Sequence, residues 1–384
     1  MIELLEYDVA DPQARLPALL GPTWVLVRSG SQVLGMVKLN GLRPATARRD
    51  LVWAVRHRLY ARASLRPERE PSAVDPAAVS VVVCTRDRPR LLEGCLEALQ
   101  RLDPPPGEVV VVDNAPTSAA TREVAERWGV RRVLESRPGL DRARNTGWRK
   151  ASGQVVLFID DDARADPRLV AAMGAAFVGP EVAAVTGLVL PAELHSYPQT
   201  SFEQFEGGMG KGYERRLYHR ESAPVGLEAF RVGVGTNMAF RRRILEEVGG
   251  FDPSLDVGTA TRGGGDLDMF YRVLEAGRVV VYEPCAVVRH IHRRHRAALV
   301  GQMRDYGTSF AAYLAKRAEE SPAQAKAVRA YRWRWHLDRH LRRALSALRS
   351  RQLLHFQMVW AEARGSLRGA AALERARRET AATP

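Results

Sequence analysis

From residue 79 onward, short apolar runs alternate with stretches in which apolar residues recur every three or four positions. That alternation of buried-strand and amphipathic-helix patterns predicts an α/β domain built on a sheet. Strands are expected over 79–84, 108–112, 132–134 and 155–159, and Leu91, Leu92, Cys95, Leu96 and Leu99 share one face of a helix between the first two. With a second helix over 121–128, the segment reads as a βαβαβ unit. Further strands are expected over 182–190, 236–240 and 279–282, the last running on through Val288 towards His290, His292 and His295. Residues 193–212, polar and aromatic with a GGMGKG run, are expected to form a mobile loop. Ahead of this domain, 24–27 and 33–39 flank Gly30 as a hairpin, 48–63 carries a helical stripe, and the Pro-rich, charged run 66–78 has the composition of a linker. After Ala297 the chain reads as helical, first through Leu299, Met303, Tyr306 and Phe310, then as Arg-rich amphipathic helices to a C-terminus expected to fray. The expected division is a small α+β preface over 1–66, a linker over 67–78, the main domain over 79–296 and a basic helical region over 297–384.

No apolar run reaches the roughly 18 residues that span a bilayer, and the N-terminal MIELLEYDVADPQ lacks a signal-peptide pattern, so a cytoplasmic protein is expected. Cys84, Cys95 and Cys285 show no CxxC spacing and are expected as small buried residues. The formal charge of +14 favours anionic partners. With no zinc-finger or RNP-type motif, nucleic acid is not among them. Trp333, Trp335, Leu337 and Leu341, then Leu353, Leu354, Met358 and Val359, form apolar stripes among arginines. Such helices either pack as an auxiliary subdomain or lie on an anionic membrane surface.

The chemistry gathers at VVLFIDDD, residues 155–162, where an apolar run meets Asp160, Asp161 and Asp162. At the carboxyl end of a buried strand, these acids suit a hard divalent metal and the diphosphate it bridges; the alternative is a solvated, helix-capping loop. The strands before it also end in polar residues, Thr85, Arg86 and Asp87 in one case and Asp113 and Asn114 in the other, suited either to a nucleoside or to turn capping. No Gly-rich dinucleotide loop follows Val83. Arg137, Arg142 and Arg144 offer phosphate clamps, unless they are surface charge. Asp266, after Gly263, Gly264 and Gly265, is either a base at the mouth of a site or a carboxylate favoured by its helix dipole.

The run of CTRDRP, VVVVDN, SRPGLDRARNTG, FIDDD, GTNMAFRR, GGFD, GGGDLDMFYR and RHIHRR, in that order, resembles family 2 glycosyltransferases across residues 79–315. The resemblance implies the GT-A fold, a Rossmann-like mixed sheet flanked by helices. It also implies inverting transfer of a sugar from a nucleotide-diphospho-sugar, a UDP-sugar by default, with Mn2+ or Mg2+. Thr85, Arg86, Asp87, Asp113 and Asn114 would contact the nucleoside, and Arg137, Asp141 and Arg144 would lie near base and diphosphate. Asp160 would lie toward the ribose or the metal and Asp161 against the donor nucleotide, with Asp162 as metal ligand and His290 or His292 completing the metal site. Asp266 would be the catalytic base, with Asp268 sharing the work if needed. Thr236 and Asn237 would line the sugar side, and Glu203 and Glu206 the acceptor side. The acceptor would be a glycan, a lipid-linked molecule or a small molecule, as in envelope polysaccharide or glycoconjugate synthesis, with peripheral attachment at the inner face of the membrane as an option. Gly265 stands where the family often has Glu. A non-catalytic relative that binds nucleotide-sugar or glycan is therefore the alternative.

Overall fold

The computed structural model describes the chain except residues 12, 14–20, 40–43, 60–72, 222–227, 323–324 and 383–384. Residues 67–72, the first half of the expected linker, lie outside the described residues. The N-terminal sheet has the order β1-β2-β3, from Glu3–Asp8, Thr23–Ser29 and Gln32–Leu39. The expected hairpin is β2 and β3; β1, parallel to β2, was not expected. Helix α1 (Pro44–Ala54) packs Leu51 against Val25, Val27 and Leu34. Leu26 and Val33 belong instead to the main core, and Arg28 reaches Asp166 at 2.5 Å.

The main sheet comprises β4 (Val79–Thr85), β5 (Glu108–Asn114), β6 (Arg131–Glu135), β7 (Val155–Asp160), β8 (Ala163–Ala165), β9 (Val182–Pro191), β10 (Arg216–Tyr218), β11 (Asn237–Arg241) and β12 (Val279–His290). Its order is β10-β12-β9-β11-β7-β4-β5-β6, with β8 on β12. Strands β4 to β7 are parallel, which explains their unbroken apolar runs, because helices cover both faces. Strand β11 runs antiparallel between β7 and β9, so its first residues lie beside the last of β7. Thr85, Asp160 and Thr236 thereby meet in mid-sheet, at the carboxyl ends of β4 and β7. The structure is the expected mixed sheet flanked by helices.

The covering helices are α2 (Pro89–Leu99), α3 (Ala120–Arg127), α4 (Leu140–Lys150), α5 (Leu169–Ala176), α6 (Tyr197–Glu206), α7 (Arg242–Glu247) and α8 (Gly265–Glu275). They are followed by α9 (Arg296–Glu320), α10 (Ala325–Arg334), α11 (Arg342–Arg349), α12 (Leu353–Ser366) and α13 (Gly369–Ala381). Burial of Leu92 and Leu96 on α2 contributes roughly 1.5–3 kcal/mol for each side chain. None of the described helices is long and apolar enough to cross a membrane.

Two expectations are corrected. Residues 193–212 are not all loop, because Ser196 and Gln199 form a reciprocal capping box that starts α6, and Gly207 at φ 69° ends it. Phe202 of α6 is buried against Leu299, Met303, Leu354 and Met358. Nor does the C-terminus fray at ERARRETAATP: α13 continues to Ala381, with Leu373 packed on Leu255 and Ala312. Close backbone contact accounts for the order of this region. A Cβ at Gly307 would lie 2.0 Å from the Glu362 carbonyl, and one at Gly365 2.0 Å from that of Arg304, so α9 and α12 cross through paired glycines.

Glu108 ties the strand starts together, accepting from Ser80 Oγ at 2.7 Å and from Ser152 N at 2.5 Å. Burial opposes its charge, but these donors and Arg131 outweigh it and hold the carboxyl at about 2. A depressed folded pKa means that the stability this group supplies is present above its unfolded value and lost as pH falls from there towards about 2. Glu108→Gln should therefore flatten the acid limb of a urea-midpoint against pH curve, with the largest loss of stability near neutrality.

Candidate active site

A cavity of about 990 Å3 opens at the carboxyl ends of β4 and β7. Asp160 ends β7 and accepts from Thr236 Oγ1 at 2.5 Å, with Arg144 at 3.8 Å. Asp161 turns the other way, accepting from Thr85 Oγ1 at 2.7 Å and from Arg88 at 3.1 Å. Burial pushes its carboxyl up to about 6, against the pull of Arg88. Asp162 lies 3.1 Å from His290 Nε2. Burial disfavours the charge of both, yet their pairing lowers the Asp162 carboxyl and raises the His290 imidazole. One ligand atom each from Asp160, Asp162 and His290 falls within a 4.8 Å span. Two carboxylates and an imidazole suit a divalent cation such as Mn2+ or Mg2+.

His292, the other histidine expected to complete the metal site, is not part of this triad. Its Nδ1 lies 3.1 Å from His290 Nδ1, and its Nε2 2.8 Å from Glu203 Oε1. One Nδ1 must carry a proton and the other accept it, so the buried line Asp162, His290, His292, Glu203 fixes the ring that faces the cavity. Glu203 on α6 thus backs the site. The side chain of Glu206 lies outside the described residues.

Asp266 occupies the first turn of α8 and is half-buried on the cavity wall. Gly235 N donates to its Oδ2 at 2.8 Å and Leu267 N to its Oδ1 at 2.9 Å, which fixes the carboxylate plane. Asp268, two residues on, is fully buried and faces away, bonded to Arg272 and Arg317 at 2.7 Å and to Lys316 at 3.0 Å. It ties α8 to α9 and cannot meet a substrate.

Residues 80–249 match the model described as glycosyl transferase family 2. Over this segment the chain is similar to glycosyl transferase family 2. The chain is 27% identical over 280 residues to the pre-mycofactocin glycosyltransferase of Mycobacterium tuberculosis, covering 72% of this chain and 55% of that one. It is also 27% identical over 229 residues to the glucosyl-dolichyl phosphate glucuronosyltransferase of Haloferax volcanii, covering 55% and 68% respectively. The chain therefore spans about half the length of the first of these relatives. Among solved structures, the mannosyltransferase PcManGT of Pyrobaculum calidifontis, in complex with GDP-Man and Mn2+, aligns over 88% of this chain and 85% of its own at 19% identity, with a TM-score of 0.48.

Within the matched segment, Thr85, Arg86, Asn114, Asp141, Arg144 and Thr236 line the cavity with the three acids. Other expected residues do not reach it. Asp87, at φ 53°, accepts from Thr117 N at 2.9 Å in a turn. Asp113 is fully buried and paired with Arg132 at 2.7 Å. Arg137 is half-buried beside Glu135, and Asn237 donates to the Leu188 and Ala286 carbonyls where β9 and β12 shift register.

Two contributors escaped sequence reading. Arg88 lies at 3.1 Å from Asp161 and 3.5 Å from Asp162, and its signal was the basic residue following the first strand. Asp256 accepts from Leu140 N at 2.6 Å and Asp141 N at 2.7 Å, so it caps α4, whose own N-cap is Gly139. No local pattern marks a cap supplied from so far along the chain.

Gly265 has a steric reason. A Cβ there would stand 1.7 Å from Asp141 Oδ2, so the Asp141 carboxyl occupies the space that a side chain at 265 would need. Burial first, then the Asp256 charge, hold that carboxyl well above its ordinary range, although Arg144 bonds its other oxygen at 2.9 Å. Gly265→Ala should cost about 1–3 kcal/mol by overpacking. In a urea-denaturation cycle with Asp141→Ala, the two losses should be smaller together than their sum.

Proposed function

We propose that the chain is an inverting, metal-dependent glycosyltransferase that moves a sugar from a nucleotide-diphospho-sugar to an acceptor hydroxyl. The observation that carries this reading is the Asp160, Asp162 and His290 cluster on the same cavity as a rigidly held Asp266. Asp160, Asp162 and His290 would hold Mn2+ or Mg2+, which when bound supplies Lewis-acid stabilisation to the leaving diphosphate. Thr85, Arg86 and Asn114 border the part of the cavity assigned to the nucleoside, a UDP moiety by default. Arg88 and Arg144, already paired with acids, add cationic charge where the leaving group becomes more negative. Asp266, its two oxygens oriented by Gly235 N and Leu267 N, takes the proton of the acceptor hydroxyl as that oxygen attacks the anomeric carbon. Attack opposite the leaving diphosphate inverts the anomeric centre in a single displacement.

The acceptor class proposed is a glycan, lipid-linked or small-molecule hydroxyl compound, with the protein cytoplasmic and able to sit at the membrane's inner face. The names of the relatives, each a glycosyltransferase, agree with this reading. The test is release of free nucleotide from UDP-, GDP-, dTDP- and CDP-sugars with and without Mn2+, with NMR of the sugar first released to water. Metal-dependent turnover of one donor to the inverted anomer supports the proposal. Binding of a donor without any turnover favours the non-catalytic alternative.

A further inference from the structure

Residues 325–349, through α10, a wider helical turn and α11, present two unlike faces. The inner face carries Trp335, Arg339 and Arg343, spaced four residues apart, and all three line the cavity that contains Asp266. Arg339 lies over the Trp335 ring at 4.2 Å, and Arg343 over Phe205 at 5.0 Å. The outer face carries Trp333, Leu337, Leu341, Leu345 and Leu348, again spaced at helical intervals, and every one of them is exposed, Trp333 at 65% and Leu337 at 60%. A contiguous stripe of large apolar side chains facing water is costly to a soluble chain unless something covers it.

Charge identifies what covers it. Between Ala325 and Arg351 the chain has nine Lys and Arg residues against one acid, Asp338. Arg334, Arg342, Arg349 and Arg351 are exposed beside the stripe. A second copy of the same face would bring like charges together, which disfavours a self-complementary dimer. An apolar stripe with Trp and a dense arginine border matches the interface of an anionic bilayer, where the leucines enter the acyl boundary and the guanidinium groups meet headgroup phosphates.

We propose that the outer face of residues 325–349 docks the protein on an anionic lipid surface. Because the inner face of the same helix walls the cavity, the acceptor that reaches Asp266 is then an amphiphile carried by that membrane, a deduction that rests on the glycosyl-transfer reading. The test uses the full chain, sedimented with vesicles of phosphatidylglycerol and phosphatidylcholine or of phosphatidylcholine alone. Expected is sedimentation with the anionic vesicles, weakened by salt, and a drop in the bound fraction of at least about tenfold in Leu337→Gln/Leu341→Gln/Leu345→Gln. Calorimetric nucleotide binding without vesicles should be unchanged in that variant, which shows that it is folded. The proposal is overturned if the wild type stays in the supernatant at low salt or if the triple variant binds as well as the wild type. It is equally overturned if the variant only converts a dimer to a monomer. Should vesicles bind but no nucleotide bind, the docking surface stands and the glycosyl-transfer reading falls.

Discussion

Asp266→Asn is expected to lower glycosyl transfer roughly 10²–10⁴-fold while leaving donor affinity near that of the wild type. The amide keeps the shape of the carboxylate and can accept from Gly235 N or from Leu267 N, though not from both as the native carboxylate does, and it cannot take a proton. Because the lost interaction matters only as the acceptor oxygen attacks, the effect should fall on kcat more than on donor KM. Steady-state kinetics with the donor that the nucleotide-release screen identifies, together with calorimetry for donor binding, separates the two. A loss of donor affinity in parallel with rate would instead make Asp266 a binding residue.

Asp268→Asn, two residues along the same helix, should behave in the opposite way. Asp268 is fully buried between Arg272, Lys316 and Arg317, and the substitution leaves that cationic group short of one negative charge. Breaking a buried pair from one side costs about 3–5 kcal/mol. Lys316 keeps Asp252 at 2.5 Å and Arg317 keeps Glu320 at 2.5 Å, which places the expected loss towards the lower end of that range. The prediction is a large fall in the urea midpoint, with kcat per folded molecule nearly retained. Equal stability with lost turnover would return Asp268 to the catalytic machinery.

This contrast shows what a sequence can tell and where it stops. Both acids fall in the first turn of one amphipathic helix, and nothing local decides which side meets the cavity. The arrival of α9, bringing Lys316 and Arg317 from some fifty residues downstream, decides it. Strands β4, β5 and β7 were legible because parallel strands covered on both faces must be apolar throughout, and the acids that interrupt them mark the open end of the sheet. Strand β1 was not legible, since ELLEYD is partly exposed and depends on pairing with β2. The start of α6 was readable in principle from Ser196 and Gln199 three positions apart, a signal outweighed by the glycines that follow. For the metal cluster, the residues give Asp160 and Asp162 by their position at a strand end. Only the long β12, carrying His290 back beside Asp162, selects that histidine over His292. The space filled by Asp141 against Gly265 is likewise a tertiary fact, and it explains a glycine that the sequence presents only as a departure from a pattern.

The most direct test of the central claim is calorimetric titration of the purified chain with UDP, GDP, dTDP and CDP, with and without Mn2+, for the wild type and Asp162→Ala. The account predicts binding of one nucleotide that strengthens with metal and loses that metal dependence in the variant, because Asp162 is one of the three groups gathered around the cation position. Nucleotide binding that ignores both the metal and the substitution would contradict the site, and the absence of binding to any of the four would contradict the function proposed for it.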